Sequence, residues 1–163
     1  MKQNINPATW YKIFGLGESS TRITYALMSL GVPYDNLFDG TVKDEDALII
    51  TGFLNHDSFR LNIVEAIDKL KDKEKRIIVV GAMPFSFEGR KNKAIALETI
   101  NTIKDKSVEC IIFQSDKIRQ LLGNISIEDA FFRAGQAAAA LILQTLISIQ
   151  GPETKKGPKP LLP

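Results

Sequence analysis

Two stretches, Ala47-Leu-Ile-Ile-Thr51 and Ile77-Ile-Val-Val-Gly81, are continuously aliphatic yet only five residues long. Runs of that length, rich in β-branched side chains, read as strands buried on both faces. Such strands belong to parallel sheets covered by helices above and below. The segments between them carry the helical period instead. Ser19 to Leu30 places Ile23, Ala26, Leu27 and Leu30 on one face, and Gly31 with Pro33 stops it. Phe59, Ile63, Ala66, Ile67 and Leu70 form the stripe of a second helix, which ends in the charged run 71–75.

The pattern extends to both ends. Tyr11 to Gly15 predicts a first strand, Tyr34 to Phe38 a short edge strand and Val108 to Phe113 a last strand, with a helix over Lys91 to Lys104. Asp116 is placed as the N-cap of a short helix ending at Gly123. Ser126-Ile-Glu-Asp129 has the form of a capping box opening a final helix that runs to about Gln150. Residues 1–150 are therefore expected to form one α/β domain, a Rossmann-like three-layer sandwich around a mostly parallel sheet with right-handed crossovers. Residues 151–163, rich in Pro, Gly and Lys, are expected to be a disordered tail.

Composition excludes several function classes. A net charge of +2 gives no concentrated basic face, so no nucleic-acid partner is expected. Ala137 to Leu143, the longest apolar stretch, is too short to span a bilayer, and the first ten residues carry no signal-peptide core. One cysteine, Cys110, and one histidine, His56, cannot build a zinc site of the usual kind. Cys110 lies in an apolar run without a basic pair and reads as a structural thiol of a reducing compartment. The expectation is a metal-free cytoplasmic protein.

In such folds ligands bind beyond the carboxyl ends of the strands, which singles out four loops. Gly15-Leu-Gly17 is a fragment of a dinucleotide fingerprint, but Glu18 would face a phosphate with a carboxylate, and Ser19 and Ser20 read equally as helix caps. After Thr51, Phe53 and Leu54 supply bulk where a phosphate cradle needs glycine. His56 beside them reads as an exposed or capping residue, and no P-loop motif is present. Pro84-Phe-Ser-Phe-Glu-Gly89 admits two readings: phenylalanines plugging the sheet edge, or Glu88 accepting from sugar hydroxyls. Gln114 to Asp116 is the fourth loop.

The loop after the Ile77 strand also carries a resemblance. Val80-Gly-Ala-Met-Pro-Phe-Ser-Phe-Glu-Gly-Arg-Lys91 resembles the Pro-Phe-[Ser/Thr/Asn]-Phe-Glu-Gly loop of FtsZ, the bacterial and archaeal relative of tubulin. Ile13 to Gly17, Asp46 to Gly52, Thr99 to Asp105, Val108 to Ile112, Asp116 to Leu122 and Glu128 to Ala134 are similar to that family in collinear order. The resemblance implies a GTP-binding domain that polymerises head to tail. Glu88 stands at a ribose-contacting position, Phe131 at the position that packs on guanine, and Gly15 and Gly17 in the first phosphate loop. Ser19, Ser20 and Asp116 complete the vestigial nucleotide-site candidates.

The departures weigh against catalysis. The family's second, glycine-rich phosphate loop is replaced by residues 53–57, an arginine falls on Asn92, the Asn-Asp pair becomes Ser115-Asp116, and the guanine-reading aspartate falls on Gly135. Only 28 residues separate Gly17 from Asp46, too few for the elements the family places there. The second domain, with its catalytic aspartates, is expected to be absent, so no GTP hydrolysis and no cofactor are expected. The apolar arc of the last helix, with Ile142, Leu143, Leu146, Ile147 and Ile149, then has no second domain to cover it. Leaving three such side chains in water forgoes about 5–9 kcal/mol, at roughly 1.5–3 each, so a homodimer or an FtsZ-like cell-division or cytoskeletal partner is expected. The alternatives are a helix rolled onto its own sheet and a small GTP, GDP or other nucleotide sensor with a changed phosphate site.

Overall fold

The apolar runs form four parallel strands: β1 (Tyr11–Gly15), β2 (Ala47–Phe53), β3 (Arg76–Ala82) and β4 (Glu109–Phe113). A computed structural model describes residues 10–37, 45–71 and 75–150. The tail 151–163 lies outside these residues, as does Phe38. The strands pair in sequence order, with Tyr11 opposite Ala47, Ala47 opposite Arg76 and Ile78 opposite Glu109.

Among the described residues five helices cover the sheet: α1 (Thr21–Ser29), α2 (Asp57–Lys71), α3 (Arg90–Asp105), α4 (Asp116–Leu122) and α5 (Ile127–Gln150). Strand alternation divides the core. Ile13, Ile49, Ile78 and Val80 face α1 and α5, while Leu48, Ile50, Ile77 and Val79 face α2 and α3. The α/β sandwich is therefore three layers deep, as the alternation of apolar runs predicts.

One feature departs from expectation. Each crossover moves to the next strand in the same direction, yet α1 lies on the face opposite α2 and α3. The β1–α1–β2 connection therefore has the opposite hand to the other two, against the strong right-handed rule for such units.

Local chemistry explains the boundaries. Gly31, at φ 102°, ends α1 in a Schellman turn: its N–H donates to the Met28 carbonyl and that of Val32 to the Leu27 carbonyl. The expected edge strand over 34–38 is instead a short 3-10 turn, Tyr34–Asn36. The buried Asn36 amide donates to the Tyr11 carbonyl at 2.9 Å, so a side chain satisfies β1 where a strand was expected. Ser126 Oγ accepts from the Asp129 N–H at 3.0 Å and caps α5. Asp116 is the first residue of α4 and makes no cap; its carboxylate turns to the 84–89 loop.

Candidate functional site

The loop after β3 is a closed corner. Phe85 N–H donates to Glu88 Oε2 at 2.8 Å, and Glu88 N–H returns to the Phe85 carbonyl at 3.0 Å. Gly89, at φ 99°, permits the turn into α3, and Asn92 Nδ2 fastens it by donating to the Glu88 carbonyl at 2.9 Å. The other Glu88 oxygen accepts from Asn55 Nδ2 at 3.2 Å, which ties the corner to the end of β2. Asp116 Oδ1 accepts from the Ser86 N–H at 2.9 Å and from Ser86 Oγ at 3.2 Å, which ties it to α4.

The phenylalanines form one cluster. Phe85 is buried and stacks on Phe87 at 4.8 Å, and Phe131 meets both rings edge-on at 5.6 and 5.9 Å. The Arg22 guanidinium lies over Phe131 at 5.4 Å, and that of Arg119 over Phe87 at 5.5 Å. Phe131, which the resemblance places against a base, already has three partners in Phe85, Phe87 and Arg22. The phenylalanines pack together at the end of the sheet, and Glu88 lines a cleft beside them with its carboxylate engaged by Phe85 and Asn55.

That cleft is lined by Ser19, Arg22, Phe53, Asn55, His56, Glu88 and Phe131 and has a volume of about 200 Å³. Sites for drug-sized ligands run from about 300 to 1,000 Å³. His56 is exposed, and its carbonyl accepts from the Phe59 and Arg60 N–H groups, so it opens α2 through its backbone. Arg22, Asn55 and Arg119 were not singled out from sequence. Asn55 lies in the loop after β2 and Arg119 in the 116–122 segment, but only the fold brings them to this corner with Arg22.

The two loops that the resemblance aligns with phosphate loops are built in other ways. Ser20 is buried, and its hydroxyl donates to the Gly17 carbonyl at 2.7 Å. Gly15 is required there, because a Cβ would sit 2.8 Å from Ser20 Oγ; Gly17 takes φ 85°. Leu16 N–H donates to the Thr51 carbonyl and Ser20 N–H to that of Gly17, at 3.0 and 3.2 Å. After Thr51 the chain continues as strand to Phe53, and Leu54 N–H donates to the Ala82 carbonyl at 3.0 Å. Leu54 then fills the space above Gly81, where a Cβ would lie 2.6 Å from its side chain.

Gly135 is buried against α1, and a Cβ on it would come within 3.0 Å of the Arg22 carbonyl oxygen. An aspartate at that position would require α1 and α5 to move apart by a few tenths of an ångström. Ser115 is buried at the end of β4, with its hydroxyl unpaired among the described residues. Among those residues no group of three or more metal-ligating side chains exists.

The interface candidates on α5 divide. Ile142 and Leu146 are buried in the core beneath α1 and the sheet, Leu143 and Ile149 are half-buried, and Ile147 is exposed. By length and composition Ile127–Ile149 is apolar enough to cross a bilayer; Ala130, Ala134, Ala138, Ala139, Ile142 and Leu146 bury that character inside the domain. The helix has thus largely rolled onto its own sheet, the alternative to an uncovered arc. On β4, burial pushes the half-buried Cys110 thiol above its ordinary pKa, with Lys104 partly opposing.

No family model and no curated protein matches the sequence. Solved structures do. An empty FtsZ dimer from M. jannaschii superposes with a TM-score of 0.69 at 14% identity, covering 95% of this chain and 57% of that one. CetZ from Methanosaeta thermophila gives 0.68 at 13% identity over 90% and 56%. A GDP-bound monomer of CetZ1 from Haloferax volcanii gives 0.60 at 13% identity over 80% and 58%. The chain spans a little over half the length of these structures. At such identity the likeness establishes architecture alone: the chain has the α/β fold of the FtsZ and CetZ, tubulin-like, nucleotide-binding domain.

Proposed function

We propose that this chain is a degenerate FtsZ-like domain that works in the cytoplasm through protein contacts and does not hydrolyse GTP. The observation that carries the reading is the course of β2. Where a phosphate loop must turn its N–H groups towards a ligand, this backbone continues into the sheet, with Leu54 bonded to Ala82. The remaining candidates support it: Glu88 and Asp116 hold the corner together, Phe131 is packed, and Gly135 sits tightly against the Arg22 backbone. Self-association, or contact with a cytoskeletal or cell-division partner, is the role we assign to such a domain.

Isothermal titration calorimetry with GTP and GDP, together with a phosphate-release assay, tests the reading. No heat at millimolar nucleotide and no phosphate release are expected. Micromolar binding, about −8 kcal/mol, would overturn it in favour of a nucleotide sensor.

A further inference from the structure

The two edges of the sheet are treated differently. At β1 the 3-10 turn and the buried Leu37 cover the strand, and Asn36 bonds the Tyr11 carbonyl. Lys12 and Glu45, both buried, form an ion pair at 3.8 Å beside it. At β4 nothing comparable is present among the described residues. Cys110, Ile111, Ile112 and Phe113 are all half-buried, although three are large apolar side chains in a sheet whose other strands are mostly buried.

The open backbone groups can be assigned. Phe113 pairs with Ala82, and its carbonyl accepts from the Met83 N–H at 2.9 Å. Glu109, Ile111 and Phe113 therefore address β3, and the N–H and C=O groups of Cys110 and Ile112 point away from the sheet. The extended segment is bounded on both sides. Ser107, at φ 61°, turns the chain before it, and the Gln114 carbonyl after it is taken by the Lys117 N–H. The usual protections of an edge are missing: Glu109–Phe113 contains no Pro or Lys, its pairing has no bulge, and Glu109 is neutralised by Arg76 at 2.9 and 3.0 Å.

From this geometry we infer that β4 is the self-association surface, pairing antiparallel with β4 of a second copy about a two-fold axis at Ile111. The inference rests on the protein-contact reading above and gives that contact its place and register. With Cys110 and Ile112 the open residues inside the strand, the symmetric solution sets Cys110 opposite the partner's Ile112 as hydrogen-bonded pairs, and Ile111 opposite the partner's Ile111 as a non-hydrogen-bonded pair. Ile111 then meets the partner's Ile111 on one face and Cys110 the partner's Ile112 on the other, while Glu109, held by Arg76, lies opposite the partner's Phe113 at the two ends of the pairing. The two sheets become one.

The register fixes a cross-link. Residues at a non-hydrogen-bonded antiparallel pair have Cα atoms about 4.5 Å apart, within disulfide reach at about 4.4–6.8 Å. In a Cys110→Ser background, Ile111→Cys should form a covalent dimer under mild oxidant, read on a non-reducing gel, and Ile112→Cys should not. Sedimentation velocity of the unmodified chain over a concentration series should show a monomer–dimer equilibrium. Ile112→Pro, which removes an N–H that β3 does not use, should return it to monomer with an unchanged circular dichroism spectrum. Should that variant fail to fold, the cross-linking pair decides.

A monomer at every concentration overturns this inference and leaves the nucleotide titration as the separate test of the function. A dimer that survives Ile112→Pro without the Ile111 cross-link overturns the edge and leaves the protein-contact reading standing. A disulfide through native Cys110 would move the two-fold axis and overturn the register.

Discussion

Glu88 offers a direct test of whether the 84–89 loop is a structural corner or a ligand contact. If it served only a bound nucleotide, its removal would leave the free protein as stable as before. The geometry says otherwise. Glu88→Ala deletes the acceptor of the Phe85 N–H, on a residue 1% exposed, and of the Asn55 amide, on a residue 7% exposed. A hydrogen bond to a charged group contributes about 1.5–3 kcal/mol, and a buried donor left without an acceptor costs about 1–3. The two losses overlap, and Glu88 is only half-buried, so water replaces part of the interaction. A net destabilisation of about 2 kcal/mol is expected, a considerable fraction of the 5–15 typical of a domain. Urea unfolding without nucleotide should show a lower midpoint at unchanged slope, and Tm should fall by about 4–8 °C for a chain of this size. Glu88→Gln retains an acceptor for Phe85 and should cost about half as much. An Ala variant within about 0.5 kcal/mol of the parent would refute the structural reading of this carboxylate, since that is the scatter of ordinary surface changes.

Gly135→Asp, which supplies the carboxylate that the FtsZ resemblance places there, should destabilise by at least about 1–3 kcal/mol in the same assay without creating affinity for GTP, because its Cβ meets the Arg22 backbone at 3.0 Å. Gly52→Ala should cost a similar amount, as the added Cβ lies 2.6 Å from the Phe59 ring and 2.9 Å from the Leu16 carbonyl; an unchanged midpoint would mean that the sheet and α2 yield more easily than their packing implies. Burial pushes the Tyr11 phenol up to about 12. Its contribution to stability is whole below the unfolded value of about 10 and is lost as pH rises towards 12, and Tyr11→Phe should remove that alkaline loss together with the latest step of the phenolate absorbance titration.

Strand positions were legible because aliphatic runs have few alternatives, and β1 to β4 fall within two residues of the expected bounds. The 84–89 loop was legible as a mark of the FtsZ-like fold because six consecutive residues carried the resemblance. The expected strand at 34–38 failed because its β propensity is weak beside the chance to bury Asn36 against β1. Asp116 has the right chemistry for a cap, but Ser86 lies within reach of its carboxylate, a contact between distant segments that no local pattern encodes. The packing of Arg22 over Phe131 is of the same kind: it depends on α1 crossing α5 at Gly135, a glycine that looks unremarkable inside an alanine-rich helix. The arc on α5 was read correctly as apolar. What it touches depended on the roll of the helix, which sequence periodicity does not set.

The in-order sheet, with its one crossover of the opposite hand, also bears on how the chain folds. Each strand pairs with the next one synthesised, so no strand has to insert between two that have already met, and the sheet can grow by successive loop closures of similar length. Among the described residues, the closure that joins the two ends of the chain is α5 against α1, where Gly135 meets Arg22. Docking of that helix is the natural last event. Substitutions on its buried face, such as Ile142→Val, should therefore speed unfolding in stopped-flow measurements while leaving the refolding rate nearly unchanged, and equal effects on both arms would place the helix in the nucleus instead.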